Sequence, residues 1–125
     1  MPPLLEQIAW MPSPPLVPDQ TSIDIVHLRR MTLGEIELER EVLSLFAQQS
    51  RDLLGRLGAM PDDAAALAHT LKGSARAIGA FGVADAAQAL EAAMRARSGI
   101  AGALRELEAA ADAARAAIDT ILNQP

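Results

Sequence analysis

Alanine is the feature that most constrains what this chain can fold into. The sequence of 125 residues contains 26 alanines, and 24 of them lie from Ala59 onward. Alanine is the best helix former among the amino acids and is depleted in strands. The composition therefore predicts an all-α protein, and the length favours one compact core over two small ones.

Other features of the composition exclude several classes of protein. There is no cysteine and there are only two histidines, which excludes a disulfide framework and metal sites rich in thiolate or histidine. The formal charge of −5 argues against nucleic acid as a partner, because phosphate backbones need a basic surface. The chain has neither a secretory signal pattern nor an apolar run long enough to span a membrane. We expect a cytoplasmic protein without a metal ion or cofactor of its own.

Proline marks off the N-terminal part of the chain. Six of the eight prolines lie within residues 2–18, where they remove backbone donors and disfavour helix at the preceding residues. We predict an irregular tail over residues 1–21 and a folded domain over residues 22–125. Trp10 and its apolar neighbours could still hold part of the tail against the domain.

Two capping-box patterns predict the first two helices of the domain. In Thr21–Asp24 and in Thr32–Glu35, a hydroxyl and a carboxylate are spaced to satisfy the free N–H groups of a helix start. They predict a short helix over about 22–31 and a longer one over about 34–57, which Gly58 ends. The apolar residues expected to face the core from the longer helix are Leu38, Val42, Leu45, Phe46, Leu53 and Leu57.

Three more helices follow from similar signals. Pro61 is suited to the first position of a helix, and the next helix is predicted from there to about Ile78. Gly79 and Gly82 are expected to bracket a turn. A fourth helix is predicted over about 83–97 and a fifth over about 101–122.

The fifth helix carries the most regular apolar pattern. Its seam, with steps of three and four residues, consists of Leu104, Leu107, Ala111, Ala114, Ile118 and Ile121. Such a seam alone would also suit a coiled coil. Short connections between four comparable amphipathic helices instead favour an antiparallel up-down four-helix bundle, with the short additional N-terminal helix covering one end. One self-sufficient bundle favours a monomer.

The third predicted helix places His69 on its exposed side. At about 100° per residue, the residues that share the opposite, core-facing side are Leu67, Leu71, Ala75 and Ile78. A bundle that buries those residues presents His69 to water. The alternatives are a core histidine, which the angles disfavour, and a solvated surface histidine without a role.

Two neighbours of His69 favour a chemical role. Lys72 lies one turn along the same surface, within reach of a group bound to the imidazole. Gly73 lies almost under the ring, although glycine inside a helix costs about 1 kcal/mol relative to alanine. A missing side chain at this point gives a bulky partner access to the imidazole. The alternative for Gly73 is close helix packing, but its predicted direction is outward.

The segment from Ala68 to Ala80, AHTLKGSARAIGA, is similar to the motif of the histidine phosphotransfer (HPt) domain family. Its pattern of His, any residue, Leu, Lys, Gly and Ser or Ala is matched throughout. Ile23-Asp24 with Leu28, the stretch Glu41–Phe46, and Leu90-Glu91 with Arg95 also resemble the family. The resemblance covers about residues 22–97.

This resemblance implies that the chain carries a phosphoryl group between aspartates of receiver domains, in response regulators and hybrid histidine kinases. It implies that His69 is phosphorylated, that Lys72 stabilises the phosphoryl oxygens and that Gly73 admits the receiver. It further implies that Glu91 hydrogen-bonds the far nitrogen of the imidazole and that Mg²⁺ comes from the receiver. The alternative for Glu91 is a solvated ion pair with Arg95.

Other assignments remain open at this stage. His27 lacks the lysine and glycine neighbours and is interpreted as structural or solvated, while Arg76 either contacts an acidic receiver or is simply solvated. A helical adaptor that binds a signalling partner without phosphotransfer is the competing function. An autonomous kinase or phosphatase is disfavoured because the sequence has no Gly-rich nucleotide loop.

Overall fold

The computed structural model describes residues 22–124. This part of the chain is built from helices joined by short turns, without a strand. The helices are α1 (Ile25–Met31), α2 (Ile36–Leu57), α3 (Ala64–Ile78), α4 (Phe81–Ala96) and α5 (Ile100–Leu122). The boundary predicted between a tail and a domain stays a prediction, because residues 1–21 and residue 125 lie outside the described part.

The four long helices form an up-down bundle. Each of α2 to α5 packs against the next, and α5 closes the bundle against α2. The connections between them are two to six residues long, which forces neighbouring helices to run antiparallel. The short α1 packs against α3. The predicted all-α bundle with a short additional helix is therefore confirmed.

Alanine fills much of the interior. The central part of the predicted α5 seam is fully buried, namely Leu107, Ala111, Ala114 and Ile118, while its two end residues are partly buried. Ala75 of α3 and Ala87 of α4 are also completely buried. Small side chains at these positions let the helix backbones approach closely, so the alanine content serves packing as well as helix propensity.

The capping box predicted at the second helix is wrong, and Thr21 of the first capping box lies outside the described residues. Asp24 itself is the N-cap of α1, and its carboxylate accepts a hydrogen bond from the backbone N–H of His27 at 3.0 Å. The hydroxyl of Thr32 donates to the carbonyl of Leu28 at 2.9 Å, so it serves the end of α1 rather than the start of α2. The N-cap of α2 is Glu35, whose side chain makes no capping bond. Both helices therefore begin later than predicted.

The start of α3 and the turn before α4 also differ from the prediction. Pro61 belongs to a turn in which its carbonyl accepts a hydrogen bond from the N–H of Ala64 at 2.9 Å, and α3 begins at that alanine. Gly82 does not bracket the turn after α3, because α4 has already begun at Phe81. Gly58 ends α2 as predicted, although with a right-handed backbone (φ −59°).

The apolar face predicted for α2 is wrong over its first half. Leu38 and Leu45 are 38% and 57% exposed. The face that α2 buries consists instead of Glu39, Leu43, Phe46, Ala47, Ser50, Leu53, Leu54 and Leu57. Two of these residues are polar, so the spacing of apolar residues did not indicate this face. Ser50 accepts a hydrogen bond from Arg115 of α5 at 3.0 Å, and Glu39 pairs with Arg29 of α1 at 3.6 Å.

Gly79 connects the end of α3 to the start of α1. It ends α3 with a left-handed backbone (φ 87°), and its carbonyl accepts a hydrogen bond from the N–H of Asp24 at 2.9 Å. A Cβ atom at Gly79 would lie 2.7 Å from the carbonyl oxygen of Asp24. Both the backbone conformation and the close approach therefore require glycine here.

We predict that Gly79→Ala lowers the free energy of unfolding by at least about 1–2 kcal/mol, because the left-handed conformation and the overlap with Asp24 both oppose a side chain. Urea unfolding followed by circular dichroism measures the change. The matched control is Gly55→Ala, on the exposed surface of α2, where a Cβ meets nothing within 4 Å. It should raise the unfolding free energy by up to about 1 kcal/mol. Equal changes in the two variants would contradict the account of Gly79.

Candidate functional site

The apolar face of α3 determines where His69 points. The residues expected to face the core, Leu67, Leu71, Ala75 and Ile78, are all buried. The side chain of His69, on the opposite side of the helix, is 71% exposed. The structure thus places His69 at the surface, in the direction that the helical spacing predicts, and it is not a core histidine.

One nitrogen of the His69 ring is held by α4. Nδ1 lies 3.1 Å from Oε2 of Glu91. A carboxylate only accepts hydrogen bonds, so this contact assigns the ring proton of the neutral imidazole to Nδ1. The other nitrogen, Nε2, then carries the free lone pair on the side of the ring that faces away from Glu91.

The second oxygen of Glu91 is occupied by Lys72. Its Oε1 lies 2.6 Å from Nζ of Lys72, and both side chains are largely covered, with 13% and 15% of their surfaces exposed. Desolvation by burial raises the pKa of Glu91, but the hydrogen bonds from Lys72 and His69 outweigh it, so the pKa lies below its ordinary value. Glu91 is therefore an ionised bridge between His69 and Lys72.

Of the two sequence-based alternatives for Glu91, the geometry agrees with the contact to the imidazole and not with the ion pair to Arg95. The carboxylate of Glu91 faces His69 and Lys72, and the described residues show no ion pair between Glu91 and Arg95. Lys72 lies beside the imidazole as the spacing predicts, but its ammonium group is turned toward α4. The sequence had no signal for this orientation, because Lys72 and Glu91 are nineteen positions apart and meet only through helix packing.

Gly73 leaves the surface beside the imidazole open. It is exposed, and a Cβ atom built on it would meet nothing within 4 Å. Close packing of another helix is therefore not the reason for glycine at this position. A larger side chain would project from the same surface as His69, one turn further along α3.

The surfaces on the two sides of α3 differ in chemistry. Toward α4 the surface is polar, since Arg76 donates to Oε1 of Gln88 at 2.8 Å and Lys72 pairs with Glu91. Between α2 and the later part of α3 lies a shallow apolar groove, here termed the α2–α3 groove, lined by Val42, Leu45, Phe46, Gln49, Ser74, Ala77 and Ile78. The apolar spacing of α2 did not indicate this groove, because it assigned Val42 and Leu45 to the core.

His27 belongs to the packing of α1 rather than to this surface. It is half-buried, and its ring meets the ring of Phe81 edge-on with centroids 5.1 Å apart. The described part of the chain contains no group of three or more His, Asp or Glu side chains arranged to hold a metal ion. Within residues 22–124, no helix combines the length and the apolar character needed to cross a membrane.

Comparison with known proteins gives one match. The family model of the Hpt domain matches residues 41–124, which is more than half of the chain. This range includes α3 and α4 and all four residues of the site, whereas α1 lies before it. Neither the curated proteins nor the solved structures contain a match to the chain.

We predict that the ionised Glu91 stabilises the fold in a pH-dependent way. Its pKa in the folded state lies below the ordinary value of 4.5, so its contribution is fully present above that pH and is lost as the pH falls through the lowered pKa. Urea unfolding of the wild type and of Glu91→Gln should therefore give curves that differ near neutral pH and converge in acid. Glu106→Gln, at an exposed position of α5, should follow the wild type. Parallel profiles for wild type and Glu91→Gln would contradict the bridge.

Proposed function

Because the chain belongs to the Hpt domain family, we propose that it carries a phosphoryl group on Nε2 of His69 between aspartates of receiver domains. Hpt domains are histidine phosphotransfer modules of two-component phosphorelays; they are phosphocarriers rather than kinases and interact with receiver domains of response regulators. The observation that carries the proposal is the exposed imidazole of His69, with Nδ1 held by Glu91 at 3.1 Å.

The proposed step needs a nucleophile with a defined tautomer. The lone pair of Nε2 attacks the phosphorus of a receiver's aspartyl phosphate, the bond from phosphorus to the aspartate oxygen breaks, and the aspartate leaves as a carboxylate. The product ring keeps its proton on Nδ1 and gains positive character. Glu91 accepts that N–H bond throughout and so stabilises the charge that develops on the ring. Transfer to a second receiver reverses the step.

Charge on the phosphoryl oxygens has to be neutralised from both partners. The donor set around His69 does not suit a divalent cation, because Glu91 is already engaged by His69 and Lys72. We therefore assign the Mg²⁺ of the transfer reaction to the receiver. On this chain, the ammonium group of Lys72 shares the carboxylate of Glu91 with the imidazole. An arriving phosphoryl group offers this ammonium a second anionic acceptor.

Access to His69 decides how the receiver docks. The surface over Gly73 is open, and the next residue, Ser74, lines the α2–α3 groove. On the α4 side lie the Lys72–Glu91 and Arg76–Gln88 pairs. We assign the main apolar contact of the receiver to α2 and α3, with Arg76 at the polar edge. A small interface of this kind suits a partner that must leave after each transfer.

We predict that His69→Gln abolishes phosphoryl transfer, because glutamine offers no nucleophilic nitrogen at this position. The measurement is incubation with a phosphorylated receiver and Mg²⁺, followed by detection of acid-labile, base-stable label on the chain. His27→Gln is the matched control, because it removes the only other histidine, and it should retain the label. Undiminished labelling of His69→Gln, with its helical circular dichroism retained, would overturn the assignment. A wild-type chain that binds receivers without acquiring label would favour the adaptor.

We predict that Gly73→Leu raises the stability of the fold and lowers the rate of phosphoryl transfer. The helix should become more stable by up to about 0.8 kcal/mol, because leucine has the higher helix propensity and the added Cβ meets open space. The rate of phosphoryl transfer should nevertheless fall at least about tenfold, because the side chain covers the approach to His69; a factor of ten corresponds to about 1.4 kcal/mol. Gly55→Leu, on the outer surface of α2, is the control and should transfer normally. A normal rate in Gly73→Leu would contradict the role in access.

A further inference from the structure

The end of the bundle at α1 carries the three most exposed large apolar side chains of residues 22–124. Leu33 is 82% exposed, Ile36 is 69% exposed and Val26 is 67% exposed. Met31, at the end of α1, is 54% exposed. Single apolar side chains are common on protein surfaces, but these four lie close together in the chain and form a patch, here termed the turn patch. Exposed apolar surface of this kind marks a site of interaction.

The backbone of Leu33 has a conformation that is unfavourable for leucine. The end of α1 is a Schellman motif, in which the N–H of Gly34 donates to the carbonyl of Arg29 at 2.9 Å and Leu33 is left-handed (φ 58°). Glycine is the usual residue at this position, because a Cβ atom opposes the left-handed conformation. Since the leucine side chain is mostly exposed, packing in the bundle does not offset the cost. A contact outside the bundle gives a reason for leucine here.

A pocket of about 320 Å³ opens beside the turn patch. Gly34 and Ile36 line it together with Ile121 of α5, and its other lining side chains are charged or polar. A cavity of about 150 Å³ admits a benzene-sized group, so this pocket has room for a leucine side chain. The same end of the bundle therefore presents a protruding leucine and an open pocket with an apolar wall.

Exposed charges of both signs flank the turn patch. Arg30 precedes Met31 at the end of α1, and Glu35 precedes Ile36 at the start of α2. Both charged side chains are exposed, and among the described residues neither forms an ion pair. A two-fold axis at the patch can place Arg30 of one copy opposite Glu35 of another. A partner with one dominant sign of charge would be repelled at one of these two positions.

We propose that the turn patch binds a second copy of this chain in a two-fold symmetric dimer, with Leu33 of each copy in the pocket of the other. The bundle buries its own core, so the monomer that the sequence favours is the folding unit, and the dimer forms from folded monomers. The patch is small, so the dimer should be weak, with a dissociation constant in the micromolar range or above.

This dimer leaves the surface around His69 open. The N–H of Asp24, which precedes α1, donates to the carbonyl of Gly79 at 2.9 Å, so α1 lies at the end of α3 that Ile78 completes. His69 lies nine residues back along α3 from Ile78, which is about 14 Å. The turn patch also precedes residues 41–124, the region that matches the Hpt family model. The proposed dimer is therefore independent of phosphoryl transfer.

Sedimentation velocity of the full chain tests the dimer. From micromolar to millimolar concentration, the wild type should pass from monomer to dimer. Leu33→Gln should raise the dissociation constant at least about tenfold, because it removes the apolar group that enters the pocket. The matched control is Leu45→Gln, the same change at an exposed position of α2 outside the turn patch, and it should dimerise like the wild type. A wild type that stays monomeric, or a dimer that Leu33→Gln leaves intact, would overturn the proposal.

Charge variants test the two-fold arrangement. Arg30→Glu and Glu35→Arg each place like charges opposite one another in a homodimer, so each should weaken self-association severalfold while circular dichroism shows that the helices are retained. Mixed in equal amounts, the two variants should form a heterodimer, since each contact between positions 30 and 35 then joins opposite charges. A mixture that associates no better than either variant alone would overturn the proposed pairing.

Leu33→Gly tests whether the leucine serves the bundle or the dimer. At a concentration where the wild type is monomeric, this variant should raise the urea midpoint of unfolding, because glycine adopts the left-handed conformation without a steric penalty. At high concentration it should fail to dimerise. A lowered midpoint in the monomer would show that Leu33 stabilises its own bundle, and with dimerisation retained it would overturn the proposal.

Discussion

The contact between α3 and α4 is the constraint on which the site depends. Alanines at the buried faces of these helices, among them Ala68, Ala84 and Ala87, let the two backbones approach closely. Across this contact, His69 of α3 and Glu91 of α4 meet at 3.1 Å. The composition that makes the chain helical thus also contributes to the geometry around His69.

The sequence predicted the structure well where apolar residues define one face. The spacing on α3 and α5 gave the buried residues and the outward direction of His69, because both helices bury a single regular stripe. On α2 the same reasoning failed, since Glu39 and Ser50 occupy the buried face and Leu45 the exposed one. Arg29 of α1 and Arg115 of α5 pair with these two polar residues. The spacing of apolar residues along α2 does not reveal such partners on other helices.

The ends of helices and the details of the site also depend on contacts that the sequence does not show. Thr32 matches a capping box, but its hydroxyl satisfies a carbonyl of the preceding helix, and the sequence does not say which of two adjacent helix ends will use it. Spacing along α3 brought Lys72 and Gly73 beside His69. It could not give the orientation of Lys72 toward Glu91, which follows from how two helices pack. The family resemblance, and not the spacing, pointed to Glu91.

The exposure of His69 bears on how long a signal can be stored. A side chain that is 71% exposed gives a phosphoryl group on Nε2 little shelter from bulk water. In the proposed relay, hydrolysis then competes continuously with transfer, and the stored group survives only as long as the chemistry of the N–P bond allows. Such a carrier works as a short-lived memory, whose content reflects recent input rather than the accumulated history of the pathway.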